Sequence, residues 1–277
     1  MRLDRELTLK VFQNLGASDS GYLPVLMYHS IANDSETVAP YFRTSTSPER
    51  FSQHMQWLSE LGYAGVSLEE ALNKTEPASN GHRLAAITFD DGFRDFYTSA
   101  WPVMQRHKFT ATVYVPTAFI SDSRKSWSGR ECLNWSEVRN LRGEGIRFGS
   151  HSVNHRTLYD ISWGEIEFEL KESKIQMEQK LGETVPSFAY PFAFPQEDRR
   201  FTLRFTEAAQ ACGYQSCVTT VVGRYQPGTD TFLVKRLPVN DCDDRSLFSA
   251  KLAGAYDWMA GPQSLVRHAK SLSRWGR

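Results

Sequence analysis

Apolar residues along this chain fall into two alternating patterns. Short runs of apolar or β-branched residues, such as Leu23 to Tyr28, Leu84 to Phe89 and Ala111 to Val115, are bounded by Gly, Pro or charged residues and read as buried strands. Between them lie segments whose apolar positions recur three or four apart, the period of a helix with one buried face. Ser47 and Pro48 open one such helix as N-cap and N1; Phe51, Met55, Leu58 and Leu61 give its core face, and Gly62 stops it. Residues 95–107 form another around Phe96, Ala100 and Val103, in which Pro102 predicts a kink or a division into two shorter helices. Asn134 and Glu137 begin a third helix that ends near Gly143 or Gly145. The clearest is Trp163 to Leu181, apolar at Ile166, Leu170, Ile175 and Leu181 and ended by Gly182; a further helix covers 202–212.

Strands are expected near 24–28, 65–68, 84–90, 111–116, 146–150, 187–190, 216–221 and 233–237, with a short helix over 69–72. About eight strands alternating with helices imply parallel βα units, hence an α/β chain folded as a (β/α) barrel. Residues 1–21 read as an N-terminal extension, a short helix and a Gly/Ser linker; 22–245 carry the βα rhythm in a single domain, and 246–277 form a C-terminal helical tail. The loop over 117–132 is long enough to be either a lid or an insertion.

The strand over 84–90 ends abruptly in Asp90-Asp91-Gly92. Carboxylates at the carboxyl end of a strand stand where α/β folds keep their chemistry, although the stretch alone reads equally as a strand entering an Asp-Gly turn. A second cluster, Gly149-Ser150-His151-Ser152-Val153-Asn154-His155, sets two histidines four positions apart. On one helical turn both imidazoles would share a face, within reach of one metal ion. By itself such a pair is more often a surface or capping feature, since it lacks the Glu of the His-Glu-x-x-His motif. Together with the paired acids it makes a set of two imidazoles and one carboxylate, which leaves a divalent metal open to water and substrate, as catalytic sites do.

At these residues the chain resembles the polysaccharide deacetylases, the NodB-homology or carbohydrate esterase family 4 enzymes. Thr88-Phe89-Asp90-Asp91-Gly92 and His151-Ser152-x-x-His155 look like that family's first two motifs. The likeness extends through Leu23 to Ile31 and Phe188 to Phe192, over about 22–240. The resemblance implies a distorted barrel of seven or eight strands and a metal-dependent N-deacetylase. Its metal would be held by Asp91, His151 and His155: zinc first, with cobalt or nickel as alternates. Asp90 would be the general base, and the backbone N–H of Phe192 would help to hold the oxyanion.

Two departures from the pattern matter. The common third motif stands here as Ala189-Tyr190-Pro191-Phe192, without its arginine, a charge that either Arg236 supplies or an ordinary surface Arg236 does not. The Leu-x-His motif near the C-terminus is missing as well. Both departures fit the branch that deacetylates poly-N-acetylglucosamine biofilm polymers, whose barrel is circularly permuted and whose catalytic histidine lies in an N-terminal Tyr-His stretch like Tyr28-His29. His29 is therefore expected to be the general acid; an imidazole's ordinary pKa of about 6.5 suits that work. The alternative is a strand-end histidine satisfied by a backbone carbonyl. Trp127, Trp135, Tyr190 and Arg236 are the candidate substrate contacts, since sugar rings stack on aromatic faces, although a core position is the stronger reading of Trp135.

The expected substrate is an N-acetylhexosamine polymer or glycoconjugate, in bacterial exopolysaccharide biosynthesis. Two alternatives stand beside it: hydrolysis of a small-molecule amide or imide on the same fold, and a barrel that binds carbohydrate without turning it over. Charge narrows the partners. Lys plus Arg and Asp plus Glu both number 32, so no global field draws the chain to nucleic acid or an anionic membrane. No apolar run approaches the ~18 residues of a membrane span, and the N-terminus has no apolar core of a secretory signal, so the cytoplasm is the expected compartment. The four cysteines suggest free or buried thiols, with Cys212 and Cys217 still able to pair.

Overall fold

The computed structural model describes residues 3–15, 21–33, 38–39, 42–74 and 83–264. The expected loop over 75–81, most of the linker over 16–21, His82, and the tail from 265 with His268 lie outside the described residues.

Eight parallel strands carry the fold: β1 Val25–Tyr28, β2 Tyr63–Val66, β3 Arg83–Phe89, β4 Thr112–Val115, β5 Arg147–Ser150, β6 Ser187–Ala189, β7 Ser216–Val222 and β8 Val234–Pro238. β1 pairs with both β3 and β8, so β1, β3, β4, β5, β6, β7 and β8 close a seven-stranded barrel in sequence order. β2 stands outside this ring, pairing only with the first half of β3, Tyr63 with Arg83 through Val66 with Ala86. The barrel is irregular: β5 and β6 share the single pairing of Ser150 with Phe188, and the register of β7 on β8 shifts between Val218 and Val222. This is the expected α/β barrel, with the eighth strand appended rather than inserted.

The two-residue period of the strands sorts their side chains. Val25, Ala86, Tyr114, Ala189, Val218 and Val234 form one buried cluster inside the barrel. Leu26, Ile87, Phe89, Val113, Phe148 and Phe188 belong to the larger cluster beneath the helices.

The helices are α1 Leu3–Leu15, α2 Pro48–Glu60, α3 Leu68–Asn73, α4 Trp101–His107, α5 Trp135–Gly143, α6 Trp163–Leu181, α7 Arg199–Ala211 and α8 Arg245–Leu252. Their ends follow local chemistry. Ser47 caps α2, Asn134 and Glu137 make a capping box for α5, and Ser162 and Glu165 make another for α6, which Gly182 terminates in a left-handed conformation. Pro102 divides its helix as anticipated: a π-helical turn over Phe96–Ala100 precedes α4. Between β7 and β8 the βα rhythm lapses, and the connection carries no helix.

Several expectations need correction. The run over 65–68 divides, because Ser67 caps α3 and Leu68 is already helical. On α6 the buried positions are Ile166, Glu169, Leu170, Ser173, Lys174 and Met177, while Ile175 and Leu181 are only half-buried. Cys212 and Cys217 are both free thiols. The N- and C-terminal segments meet: Arg5 pairs with Asp244 at 2.6 Å, Tyr256 donates to Asp4, and Trp258 donates to Thr8. α8 belongs to the main body, where Phe248 stacks on His54 with ring centroids 4.6 Å apart. No helix among the described residues is long and apolar enough to cross a membrane.

Candidate active site

Three strands deliver the site by where they stop. β1 ends at Tyr28, β3 at Phe89 and β5 at Ser150, so His29, Asp90 and His151 are each the first residue past a strand. Alternation along β3 sends Ala86, Thr88 and Asp90 to one face, and along β8 it sends Val234 and Arg236 to the corresponding face. Arg236 therefore lies inside the barrel, fully buried, beneath Asp90. Its guanidinium grips both carboxylate oxygens, Nη1 to Oδ1 and Nη2 to Oδ2, each at 2.7 Å, while Nε donates to the Thr219 carbonyl at 2.9 Å. This fork supplies the charge missing from the third motif. It also corrects the expectation that Arg236 is a substrate contact, because a fully buried guanidinium committed to Asp90 has nothing left for a ligand.

Asp91 leaves the strand in a left-handed conformation, φ 72°, followed by Gly92 at φ 62°. A side chain at Gly92 would place its Cβ 2.8 Å from Val115 Cγ1, so the turn that re-aims Asp91 requires glycine. The histidine pair is not on a helical turn. His151 to His155 form a loop in which Ser152 and His155 have φ of 66° and 51°, and this loop brings both Nε2 atoms to Asp91 Oδ1, at 3.5 Å and 3.2 Å. Nδ1 of His151 donates to the Ala189 carbonyl at 2.8 Å, which leaves its Nε2 lone pair facing the carboxylate.

The loop is held from behind by a residue that the sequence reading missed. Glu169 of α6, 1% exposed, accepts hydrogen bonds from Val153 N, Asn154 N and Asn154 Nδ2 at 2.7 to 2.9 Å. Ser152 Oγ accepts from His155 N at 3.0 Å. The available signal was a glutamate on the apolar stripe of α6, three residues past Ile166.

Asp91, His151 and His155 fit a divalent cation. Their donor atoms lie within 4.8 Å of one another. Asp91 Oδ1 is buried with no hydrogen-bond partner among the described residues, although two imidazole nitrogens face it. Burial would raise the Asp91 carboxyl, but the imidazoles of His151 and His155 beside it hold it far below its usual value. Burial keeps His155 below its usual value, in the neutral form a metal needs, whereas Asp90 and Asp91 raise His151 against the effect of burial. Burial would likewise raise Asp90, and Arg236 and His151 overcome it, so Asp90 is held ionised. If these residues hold one divalent ion, a His151→Ala, His155→Ala double variant is expected to retain none, read by metal analysis after dialysis. Stoichiometric metal in that variant would overturn the ligand set.

The other candidates separate. His29 is 22% exposed, and its Nε2 lies 3.9 Å from Asp90 Oδ2. Phe192, half-exposed at φ 58°, sets its ring 4.6 Å from that of His155, and its N–H donates to no described residue. Trp127 sits in a short hairpin, Ser126–Trp127 with Arg130–Glu131, stacked on Phe119 at 4.6 Å, with its ring 4.7 Å from His155. Two expected substrate contacts are not at the site. Trp135 is 3% exposed in the core, and Tyr190 is fully buried among Phe194 and Phe205.

Known proteins resemble this chain in sequence and fold. The family model for polysaccharide deacetylases matches residues 78–217, just over half of the chain. YxkH of Bacillus subtilis, a candidate polysaccharide deacetylase, is 27% identical over 82% of this chain and 75% of its own. The poly-β-1,6-N-acetyl-D-glucosamine N-deacetylase of Staphylococcus epidermidis is 21% identical over 79% and 75%. Among solved structures, the Streptococcus pyogenes deacetylase PplD in complex with acetate superposes with a TM-score of 0.68 at 25% identity, covering 83% of this chain and 98% of that one. With its motifs in place, its barrel closed over seven strands and its relatives aligned across most of their length, the chain belongs to the polysaccharide deacetylase family.

Proposed function

We propose that this chain is a metal-dependent N-deacetylase that hydrolyses the acetamide of N-acetylhexosamine residues in a polysaccharide or glycoconjugate, releasing acetate, in bacterial exopolysaccharide biosynthesis. The observation that carries the reading is a buried carboxylate, Asp90, gripped by Arg236 and set between the candidate metal ligands Asp91, His151 and His155 and an imidazole, His29, 3.9 Å away. A silent binding barrel has no use for a base and an acid so placed. The names of the staphylococcal relatives and the acetate bound to PplD support the substrate class.

An acetamide is a resonance-stabilised amide, so its hydrolysis needs an activated nucleophile, a place for the oxyanion and a proton for the leaving nitrogen. Asp91, His151 and His155 would hold the divalent cation, zinc by choice of donors with cobalt or nickel as alternates, and when bound it would supply Lewis acidity toward the carbonyl and the attacking water. Asp90, oriented by Arg236, takes the proton from the attacking water. The free N–H of Phe192 offers a donor to the oxyanion. His29 gives its proton to the departing nitrogen.

Acetate release from N-acetylglucosamine oligomers, with and without added metal, tests the activity; no release with any divalent ion would refute it. His29→Ala is expected to keep metal content and fold, lower turnover by about 10²–10⁴, and lose the high-pH limb of the kcat/KM profile that an essential acid produces. Wild-type turnover with an unchanged pH profile would assign the proton donor elsewhere.

A further inference from the structure

Beside His29 the ends of β1, β7 and β8 and the segment near Met259 enclose a cleft of about 520 Å³. Its wall is mainly apolar, with Met27, Val222, Val239 and Met259 inside and the exposed Phe42 at the rim. No carboxylate is among the described residues that line it, and its one permanent charge is Arg43. The Arg43 guanidinium is poorly satisfied: Nη1 reaches only the Cys242 thiol at 3.8 Å, and Nε is buried without a hydrogen-bond partner. Among the described residues no carboxylate lies within salt-bridge distance of it. The carboxylate of Asp241 is near enough to feel the Arg43 charge, but its hydrogen bonds go to Ser47, accepting from Ser47 N at 3.1 Å and Ser47 Oγ at 2.5 Å.

A guanidinium is always charged and carries five donors arranged to match an oxyanion group. Set in a wall of low polarity it is weakly compensated, and an anion entering the cleft gains more there than in open water. The chain's zero net charge makes this a local preference rather than a global one. Position decides which part of a substrate meets it. His29 serves the leaving nitrogen, so the half of the substrate that carries this nitrogen occupies the cleft that His29 and Arg43 share.

We propose that Arg43 is a specificity residue that takes an anionic oxygen group, carboxylate or phosphate, on the amine half of the substrate, so that the chain acts on an acidic glycan or a glycosyl phosphate. The proposal rests on the deacetylase reading and sharpens it.

Calorimetric titration of the full metal-loaded chain compares three probes: a disaccharide of N-acetylglucosamine and glucuronate, N-acetylglucosamine 1-phosphate, and neutral diacetylchitobiose. At least one anionic probe is expected to bind ~10-fold more tightly than the neutral one, the scale of a hydrogen bond to a charged group. Arg43→Ala should erase that preference and leave the neutral probe's affinity unchanged, and Arg43→Lys should keep part of it. Preference for the glucuronate probe alone points to an acidic glycan, and for the phosphate alone to a glycosyl phosphate. Equal affinities, no measurable binding of either anion, or a preference that survives in Arg43→Ala would each overturn the proposal. Acetate release from N-acetylglucosamine oligomers together with equal affinities for the three probes would keep the deacetylase and discard the anion site. Arg43-dependent anion binding without acetate release from any glycan would do the reverse.

Discussion

Asp90→Asn is expected to retain its divalent ion and lose about 10²–10⁴ in turnover, whereas Asp91→Asn should lose metal affinity first. The two acids are neighbours in sequence, but the fold gives them opposite surroundings. Asp90 continues the period of β3 into the barrel, where both oxygens are taken by Arg236. Asp91 is turned by its left-handed backbone toward His151 and His155, and its Oδ1 has no hydrogen-bond partner among the described residues. An amide at position 90 keeps the shape and one acceptor but cannot take a proton from water. An amide at position 91 removes the anionic ligand. Metal content by elemental analysis, paired with acetate release across a zinc titration, separates the two. Rescue of Asp90→Asn by added zinc, with Asp91→Asn unaffected, would mean that the roles are exchanged.

What could be read in advance follows from how local each determinant is. The ends of α6 were legible because Ser162, Glu165 and Gly182 act within a single turn of the chain. Its buried face was misassigned because two charged residues lie on it: Glu169 holds the His loop, and Lys174 donates to the Val185 carbonyl at 2.5 Å. Asp90, Asp91, His151 and His155 were legible by residue type and spacing. The conformation of 151–155 was not, since nothing in Ser152 or His155 as residue types announces a left-handed backbone. Aromatic chemistry makes Trp135 and Tyr190 candidates for sugar contacts, and burial, already the stronger reading of Trp135, excludes both. Arg236 carried a usable signal, since it shares the parity of Val234 on a core strand, and a charge at that parity belongs inside the barrel. The position of β2 outside the ring rests on pairings distant in sequence, which no local pattern encodes.

Arg236→Met is expected to cost about 3–5 kcal/mol of stability at neutral pH and to move the acid-side limb of the kcat/KM profile upward. Asp90 is 2% exposed and Arg236 fully buried, so losing the guanidinium strands a carboxylate that water cannot reach. In the native protein the folded pKa of Asp90 lies below its ordinary value of 3.8, so the pair stabilises the fold above that value and is lost as pH falls through the folded pKa. In Arg236→Met the largest effect, burial, raises the carboxyl with the Arg236 charge no longer opposing it. The ionised form then costs stability at neutral pH, and the cost shrinks on acidification as Asp90 takes up a proton. The same proton removes the base, which is why activity should fail at a higher pH than in the native enzyme. Arg236→Lys keeps the charge without the fork and should fall between the two. An Asp90→Asn, Arg236→Met double variant, with neither charge buried, should be more stable than Arg236→Met alone. Chemical denaturation at pH 5 and pH 7 reads the stability, and a pH series of acetate release reads the limb. If Arg236→Met matched the native enzyme in both, Arg236 would not be what keeps Asp90 ionised.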